Sequence, residues 1–290
     1  LYVRLKTGNA TDVFSSKTYG TYLTSSNGND DVIKVDKIWY SFPVGENNTV
    51  WIGPKIENYY MHGATPSIYA PITKQFKLGG NGAAYGASTD SGVGWAYKGD
   101  NGFSISSNVV SKQNKSTKGF LTNQAKTNWS TQVAYTTDTY HLSLIGALKY
   151  NGWTDSYYTT SLGKARPDGN STNYGLRGYW RPDTESQAVP EISAGYDISY
   201  VDGQTADTDA YFVGLTWKDT FQADDKIGIA LGQPQTADTD TVTPFAWEAY
   251  YSYKVNDSVT VTPGVFGATD RTGTAGVDIT GAIIETTFKF

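Results

Sequence analysis

The sequence predicts an all-β chain, a transmembrane antiparallel up-and-down β-barrel. Three observations carry the prediction: strands that alternate with period two, connections that alternate between short and long, and aromatic residues at both ends of one strand face. The last strand shows the pattern most plainly, since Val277 to Phe290 reads V-D-I-T-G-A-I-I-E-T-T-F-K-F. Every second residue puts Phe290, Phe288, Thr286, Ile284 and Ala282 on one side and Lys289, Thr287, Glu285, Ile283 and Gly281 on the other. One face suits hydrocarbon and the other water. A terminal strand of a soluble sandwich would alternate too, so composition and chain organisation decide between them.

The 290 residues include no Cys, one Met, 22 Tyr, 8 Trp and 31 Gly, and mean hydropathy is negative. No run approaches the roughly 20 apolar residues of a membrane helix. A membrane protein of this composition must cross with strands, whose lipid face uses only alternate residues. The lack of Cys excludes a disulfide framework and thiolate chemistry. A net charge of −5 without a basic stripe argues against nucleic acid as a partner. No signal peptide stands at Leu1, which reads as a processed chain, a truncated one, or part of a longer protein.

Fourteen strands are expected, near 1-7, 31-44, 49-57, 92-98, 102-110, 127-137, 140-150, 171-181, 188-201, 209-218, 226-232, 243-254, 258-267 and 277-290, so that 1-290 forms one barrel domain. Short turns fall at 45-48, 99-102, around Asp138, and at 182-187, 219-225 and 255-258. The links between them, 8-30, 57-91, 111-126 and 151-170, are mostly longer. Outer-membrane barrels have short periplasmic turns and long external loops, whereas a sandwich has no reason to alternate so regularly.

Aromatic placement is an independent test, because such side chains prefer the membrane interfaces. Phe42, Tyr97, Phe103, Tyr135, Tyr140, Trp180, Trp217 and Tyr253 approach the short turns on the apolar phase, and Phe288 and Phe290 complete that girdle. Tyr150 with Tyr174, and Tyr200 with Tyr211, would form the upper one. Between them the same phase carries Leu142, Leu144, Ile192, Ala194, Val213, Leu215, Val261 and Val265.

The opposite phase carries Arg4, Lys6, Lys37, Lys55, Lys98, His141, Lys149, Arg177, Arg181 and Lys218, with the acids Glu191, Asp197, Glu248 and Glu285. So many unpaired charges would cost a dry core several kcal/mol each, so the interior is expected to be wet. The 57-91 link is the longest and holds Tyr59, Tyr60, His62, Pro66, Tyr69, Pro71, Lys74, Lys77 and the run Gly79-Gly80-Asn81-Gly82. Ordering so long a segment requires packing against something, so it is expected to fold into the lumen rather than flap outside. The expected constriction joins His62, Lys74 and Lys77 of this loop to the wall residues Arg4, Lys37, Lys55, Arg177, Arg181, Glu191 and Glu248. Cations outnumber acids there, which suggests a mild anion preference.

Little else suggests chemistry. His62 and His141 are the only histidines, and no Gly-x-Ser-x-Gly elbow occurs. His141 and Ser143, two apart on one face, are a poor base and nucleophile, so neither an enzyme nor a cofactor is expected. Gln-Thr-Ala-Asp-Thr-Asp occurs at 204-209 and again at 235-240. Asp207, Asp209, Asp238 and Asp240 are weak Ca²⁺ candidates, although duplicated hairpins with solvated acidic tips explain the repeat better.

The segment Asp36-Lys37-Ile38-Trp39-Tyr40-Ser41-Phe42-Pro43-Val44-Gly45, a polar turn, then Thr49-Val50-Trp51-Ile52-Gly53, resembles cyanobacterial outer-membrane porins of the carbohydrate-porin-like class. Leu1 to Asn9 looks like that family's strand leading into a long loop, and the terminal Phe fits. The likeness extends over the barrel, but only 36-53 is specific. Family members carry a surface-layer-homology domain, a coiled coil and two more strands ahead of this point, so the resemblance implies sixteen strands in all. It also implies homotrimers in outer-membrane lipid, and a cell-wall polymer as partner through a domain absent here. The function then expected is passive diffusion of inorganic ions and small hydrophilic solutes through a loop-constricted pore. The alternatives are a sugar-specific channel, for which Trp39, Trp51, Tyr179 and Phe212 offer a scattered aromatic set, and a structural anchor between outer membrane and cell wall.

Overall fold

The computed structural model describes residues 1–11, 23–80, 83–86, 88–113, 119, 121–153, 169–184, 186–203, 207–270 and 274–290. The strands are β1 (Tyr2–Lys6), β2 (Lys34–Val44), β3 (Asn48–Glu57), β4 (Thr89–Lys98), β5 (Phe103–Lys112), β6 (Lys126–Thr136) and β7 (Tyr140–Tyr150). They continue with β8 (Ser171–Trp180), β9 (Glu191–Val201), β10 (Thr208–Lys218), β11 (Lys226–Ala237), β12 (Phe245–Asn256), β13 (Val259–Thr269) and β14 (Ile279–Phe288). Each pairs antiparallel with its neighbour in sequence, forming one up-and-down sheet from β1 to β14. Among the described residues no pairing joins β14 back to β1.

All fourteen expected strands are present, and β11 departs most from expectation. It runs through Pro234 to Ala237, past the expected end at 232. Its ladder to β12 stops at Gly232 paired with Ala246, while its ladder to β10 continues to Ala237. Pro234 therefore lies where β11 has lost one neighbour, and a missing N–H is tolerated there.

Alternation sorts the side chains into two environments. On β7, Tyr140, Leu142, Leu144 and Tyr150 are exposed on the outer face, whereas His141, Ser143, Ile145, Ala147 and Lys149 are buried on the inner one. What buries the inner face is the link from Asn58 to Ser88, which lies inside the sheet's curve. It opens with a 3-10 turn, Asn58–Met61, packed on β3, β4 and β5, and carries a second, Lys74–Gly79, against β9, β10 and β11. Met61 packs with Trp39, Ile56 and Val110, and Tyr85 with Ile145. Tyr69, Ile72 and Phe76 pack against Phe212, Tyr250 and Phe266. Each fully buried Met, Ile or Phe contributes about 1.5–3 kcal/mol, so loop and wall share one core. The wall makes room with small inner residues such as Ser104, Ser106, Ser130, Ser143 and Ser193, all buried.

The remaining long links are described only in part: 12–22, 114–118, 120 and 154–168 lie outside the described residues, as do Asn81, Gly82, Glu185 and 204–206. Leu23 forms an isolated bridge with Thr73, and the Ser25 hydroxyl donates to Glu285, so the 8-30 link also reaches the lumen loop and β14.

Candidate pore constriction and vestibule

The loop is tethered by polar contacts that replace the water its backbone would otherwise need. Glu248 on β12 is fully buried, and its carboxylate accepts from the Tyr69 hydroxyl at 2.9 Å, the Ile72 N–H at 3.1 Å and the Thr73 N–H at 2.9 Å. The Thr73 hydroxyl donates to it as well. Arg177 on β8, also fully buried, donates from Nε to the Leu78 carbonyl at 2.9 Å. It pairs with Asp197 at 2.6 Å and lies over the Tyr85 ring at 4.9 Å. Gln132 accepts from the Ala64 N–H and donates to its carbonyl. His62 Nδ1 and the Ser106 hydroxyl are 3.1 Å apart.

Two glycines allow the closest approach. Gly79 has φ +78°, a left-handed conformation that favours glycine. A Cβ on Gly195 would collide with the Gly79 carbonyl oxygen and the Arg177 side chain.

A second cluster gathers at β1. Arg4 donates to Asp36 at 2.6 Å and to the Tyr60 hydroxyl at 2.8 Å. Lys6 reaches Asp36 at 2.9 Å, and Lys37 reaches Glu57 at 3.1 Å. Lys77 comes in from the loop, its ammonium 5.1 Å from the centre of the Tyr59 ring. Lys74 is half-buried one turn earlier.

On the short-turn side of the loop lies a cavity of about 540 Å³. Lys98, Arg181, Lys218 and Lys226 line it with a single carboxylate, Glu191, together with Tyr179, Tyr250 and several hydroxyls. Glu191 is 2.6 Å from Lys218 and 3.7 Å from Arg181. The Arg181 guanidinium stacks on Tyr179 at 5.2 Å, and Tyr179 lies parallel to His141 at 4.6 Å.

Residues 1–273 match the carbohydrate-selective porin, OprB family. The chain belongs to that family. An uncharacterised protein of Nostoc sp. (strain PCC 7120) is 25% identical over 348 aligned residues. The match takes in all of this chain, which spans 58% of that relative's length. Among solved structures, Vibrio cholerae OmpT lacking loop L8 superposes with a TM-score of 0.61 at 14% identity, covering 90% of this chain and 82% of that one. Pseudomonas putida OprB at high pH gives 0.57 at 13%, covering 89% and 72%. Both share its outer-membrane barrel fold.

As an OprB-family porin, the chain is an outer-membrane barrel. His141 Nε2 does meet the Ser143 hydroxyl at 2.9 Å, but its Nδ1 meets Thr136 at 2.7 Å rather than a carboxylate. Among the described residues no three His, Asp or Glu side chains are placed to hold a metal. Asp207 and Asp238 are linked through their backbones, Asp209 accepts from Gln233, and Asp240 accepts from the Ala237 N–H.

The porin's expected constriction residues divide into groups. Arg4, Lys37 and Lys77 come together at β1, Arg181 and Glu191 in the cavity, and Arg177 and Glu248 beneath the loop, while His62 sits on the loop itself against Ser106. Lys55 joins none of them. Register shifts between Gly53 and Ile56 turn it outward, where it is exposed with its ammonium on the Val35 carbonyl at 2.9 Å. The interior is also less uniformly wet than expected, since Arg177, Lys37, Asp197 and Glu248 are buried, each beside a partner. Lys226 was not singled out from sequence, because it opens a strand within a run of turn-type charges, Asp224-Asp225-Lys226.

Of the expected lower girdle, Phe103, Tyr135, Tyr140, Trp180, Phe288 and Phe290 are exposed on the porin's outer face, and Phe42, Tyr97, Trp217 and Tyr253 are half-buried. Trp217 donates to the Ala188 carbonyl, and Tyr253 stacks on Tyr251. Such amphipathic rings suit a headgroup layer.

Proposed function

We propose that this porin gives passive diffusion of inorganic ions and small hydrophilic solutes through a water-filled, loop-constricted pore, with a preference for anions. The observation that carries this reading is the turn-side cavity, in which four cationic side chains face one carboxylate. Charged linings of one sign raise the local concentration of the opposite ion. Arg4, Lys6, Lys37 and Lys77 against Asp36 and Glu57 lean the same way at β1. In a planar bilayer with a KCl gradient, the reversal potential is expected to shift toward that of chloride. A strongly cation-selective channel would overturn the preference.

The carbohydrate channel is the second reading, favoured by the family's own description and by Tyr179 and Tyr250 at the cavity wall. Against it, Trp39 and Phe212 are buried, Trp39 under Met61 and Tyr60 and Phe212 under Tyr69 and Phe76. A sugar ladder requires faces open to the bore. Saturable block of the KCl current by neutral sugars would decide for the carbohydrate channel. Assembly as a homotrimer in outer-membrane lipid belongs to the same proposal. Vibrio cholerae OmpT, which shares the fold with a TM-score of 0.53 at 15% identity over 88% of this chain and 79% of that one, is described in a trimer form. Cross-linking in native membranes tests the stoichiometry.

A further inference from the structure

Resting on that reading, we propose that the turn-side cavity is a binding site for a small polyvalent oxyanion, a phosphate group above all. Its cations come from four separate strand ends: Lys98 closes β4, Arg181 follows β8, Lys218 closes β10 and Lys226 opens β11. Nothing in the local sheet asks for them. Lys218 and Lys226 are direct cross-strand partners, and like charges in that position repel.

The nearby acids do not settle the imbalance. Glu191 already serves Lys218 and Arg181. On the rim beside Lys226, Asp225 is taken up by the N–H groups of residues 220, 221 and 222. Asp219 accepts from the Asp224 N–H, and Asp224 and Asp257 pair with Lys254. Among the described residues, Lys98 and Lys226 have neither a salt bridge nor a side-chain hydrogen bond, and both are exposed to the cavity.

The Arg181 guanidinium lies over the Tyr179 ring, which is itself stacked on His141. A guanidinium fork recognises paired oxygen atoms better than a lysine ammonium does. Hydroxyls of Thr65 and Thr216 complete the lining around a space large enough for a phosphate group and its attached body. Chloride would feel the same field, but a divalent oxyanion carries twice its charge and has several oxygen atoms to accept from the Arg181 fork and the hydroxyls.

The test is single-channel recording of the full chain in KCl, with inorganic phosphate, glucose 6-phosphate or neutral glucose added from the turn side. The expected result is concentration-dependent block by both phosphates and none by glucose. Tighter block by glucose 6-phosphate would assign the site to phosphorylated sugars, and equal block to the free ion. The double variant Lys98→Gln/Lys226→Gln is expected to raise the half-blocking concentration about tenfold, and Lys55→Gln on the outer face to leave it unchanged.

Because the protein has no cysteine, Lys226→Cys supplies a single thiol as a second probe. Phosphate is expected to slow its reaction with an anionic thiol reagent. A channel that conducts chloride but shows no phosphate block, or block and labelling indifferent to these changes, overturns the proposal while leaving the diffusion reading intact. A chain that conducts nothing overturns both.

Discussion

The middle of the bore and its turn-side vestibule use the same kinds of side chain in opposite ways. In the middle, Arg177, Asp197 and Glu248 are fully buried, and each is tied to a partner or to loop backbone. In the vestibule, Lys98, Lys218 and Lys226 are exposed, and two of them have no partner among the described residues. The difference follows from solvent. A charge out of water costs several kcal/mol unless it is paired, so the loop can cover only charges that it or the wall satisfies. Where the loop ends, water resumes that role, and charge is free to act on solutes.

The largest test of this contrast is Arg177→Ala. It leaves the buried Asp197 without its ion-pair partner and the Leu78 carbonyl without its donor. Breaking a buried pair costs about 3–5 kcal/mol, so the urea midpoint of the folded barrel in detergent is expected to fall sharply. Lys218→Gln in the vestibule removes a pair with an exposed cation, which is worth under about 1 kcal/mol. Equal losses for the two would break the comparison.

Next comes Glu248→Gln. One carboxylate oxygen becomes an NH₂ group facing the donors of Tyr69, Ile72 and Thr73. Hydrogen bonds to a charged acceptor are worth about 1.5–3 kcal/mol each, so segment 69–73 is expected to loosen. Single-channel records should then show larger and noisier conductance, and an unchanged record would mean that the tether does not set the bore.

Gly195→Ala should act similarly from the other wall. Its new methyl meets the Gly79 carbonyl, and overpacking of this kind costs about 1–3 kcal/mol. Gly146→Ala makes the same change on the outer face, where the nearest side-chain atom of Tyr174 is 3.8 Å away, and it should leave melting unaltered. The pair sharpens the contrast, because it separates loss of strand glycine from contact with the loop.

What was legible in the sequence follows from this division. Period-two alternation specifies which side chains point outward, so β7 and β14 were readable residue by residue. Lys55 was misplaced because a register shift within β3 breaks that period, and the signal for it was the Gly53-Pro54 pair that stands at the shift. The inward direction of Arg177 and Glu248 was readable too, but their burial was not. Alternation says which way a side chain points and is silent on what covers it. The cover is a loop whose hydrogen bonds to the wall span as many as 179 residues of sequence, as between Tyr69 and Glu248. Only its length and its glycines at 79 and 80 hinted that it would pack inward.

The smallest expected effect lies outside the membrane, at the turn between β10 and β11. Burial works against ionising Asp225, but hydrogen bonds from the Phe221 and Thr220 amides, the Tyr251 hydroxyl and the Gln222 amide outweigh it and hold its pKa below the usual aspartate value. A carboxylate depressed on folding adds stability that is complete above its unfolded pKa of about 3.9 and is lost as pH falls toward the lower folded value. Amide protection at residues 220–222 should therefore be flat at neutral pH and weaken only below about pH 4. Asp225→Asn should lower it above about pH 4, toward the level the native protein reaches in acid, and remove the acid dependence. Acid sensitivity that persisted in that variant would place the titrating group elsewhere and would show that the amide cradle around residue 225 is not what holds this turn.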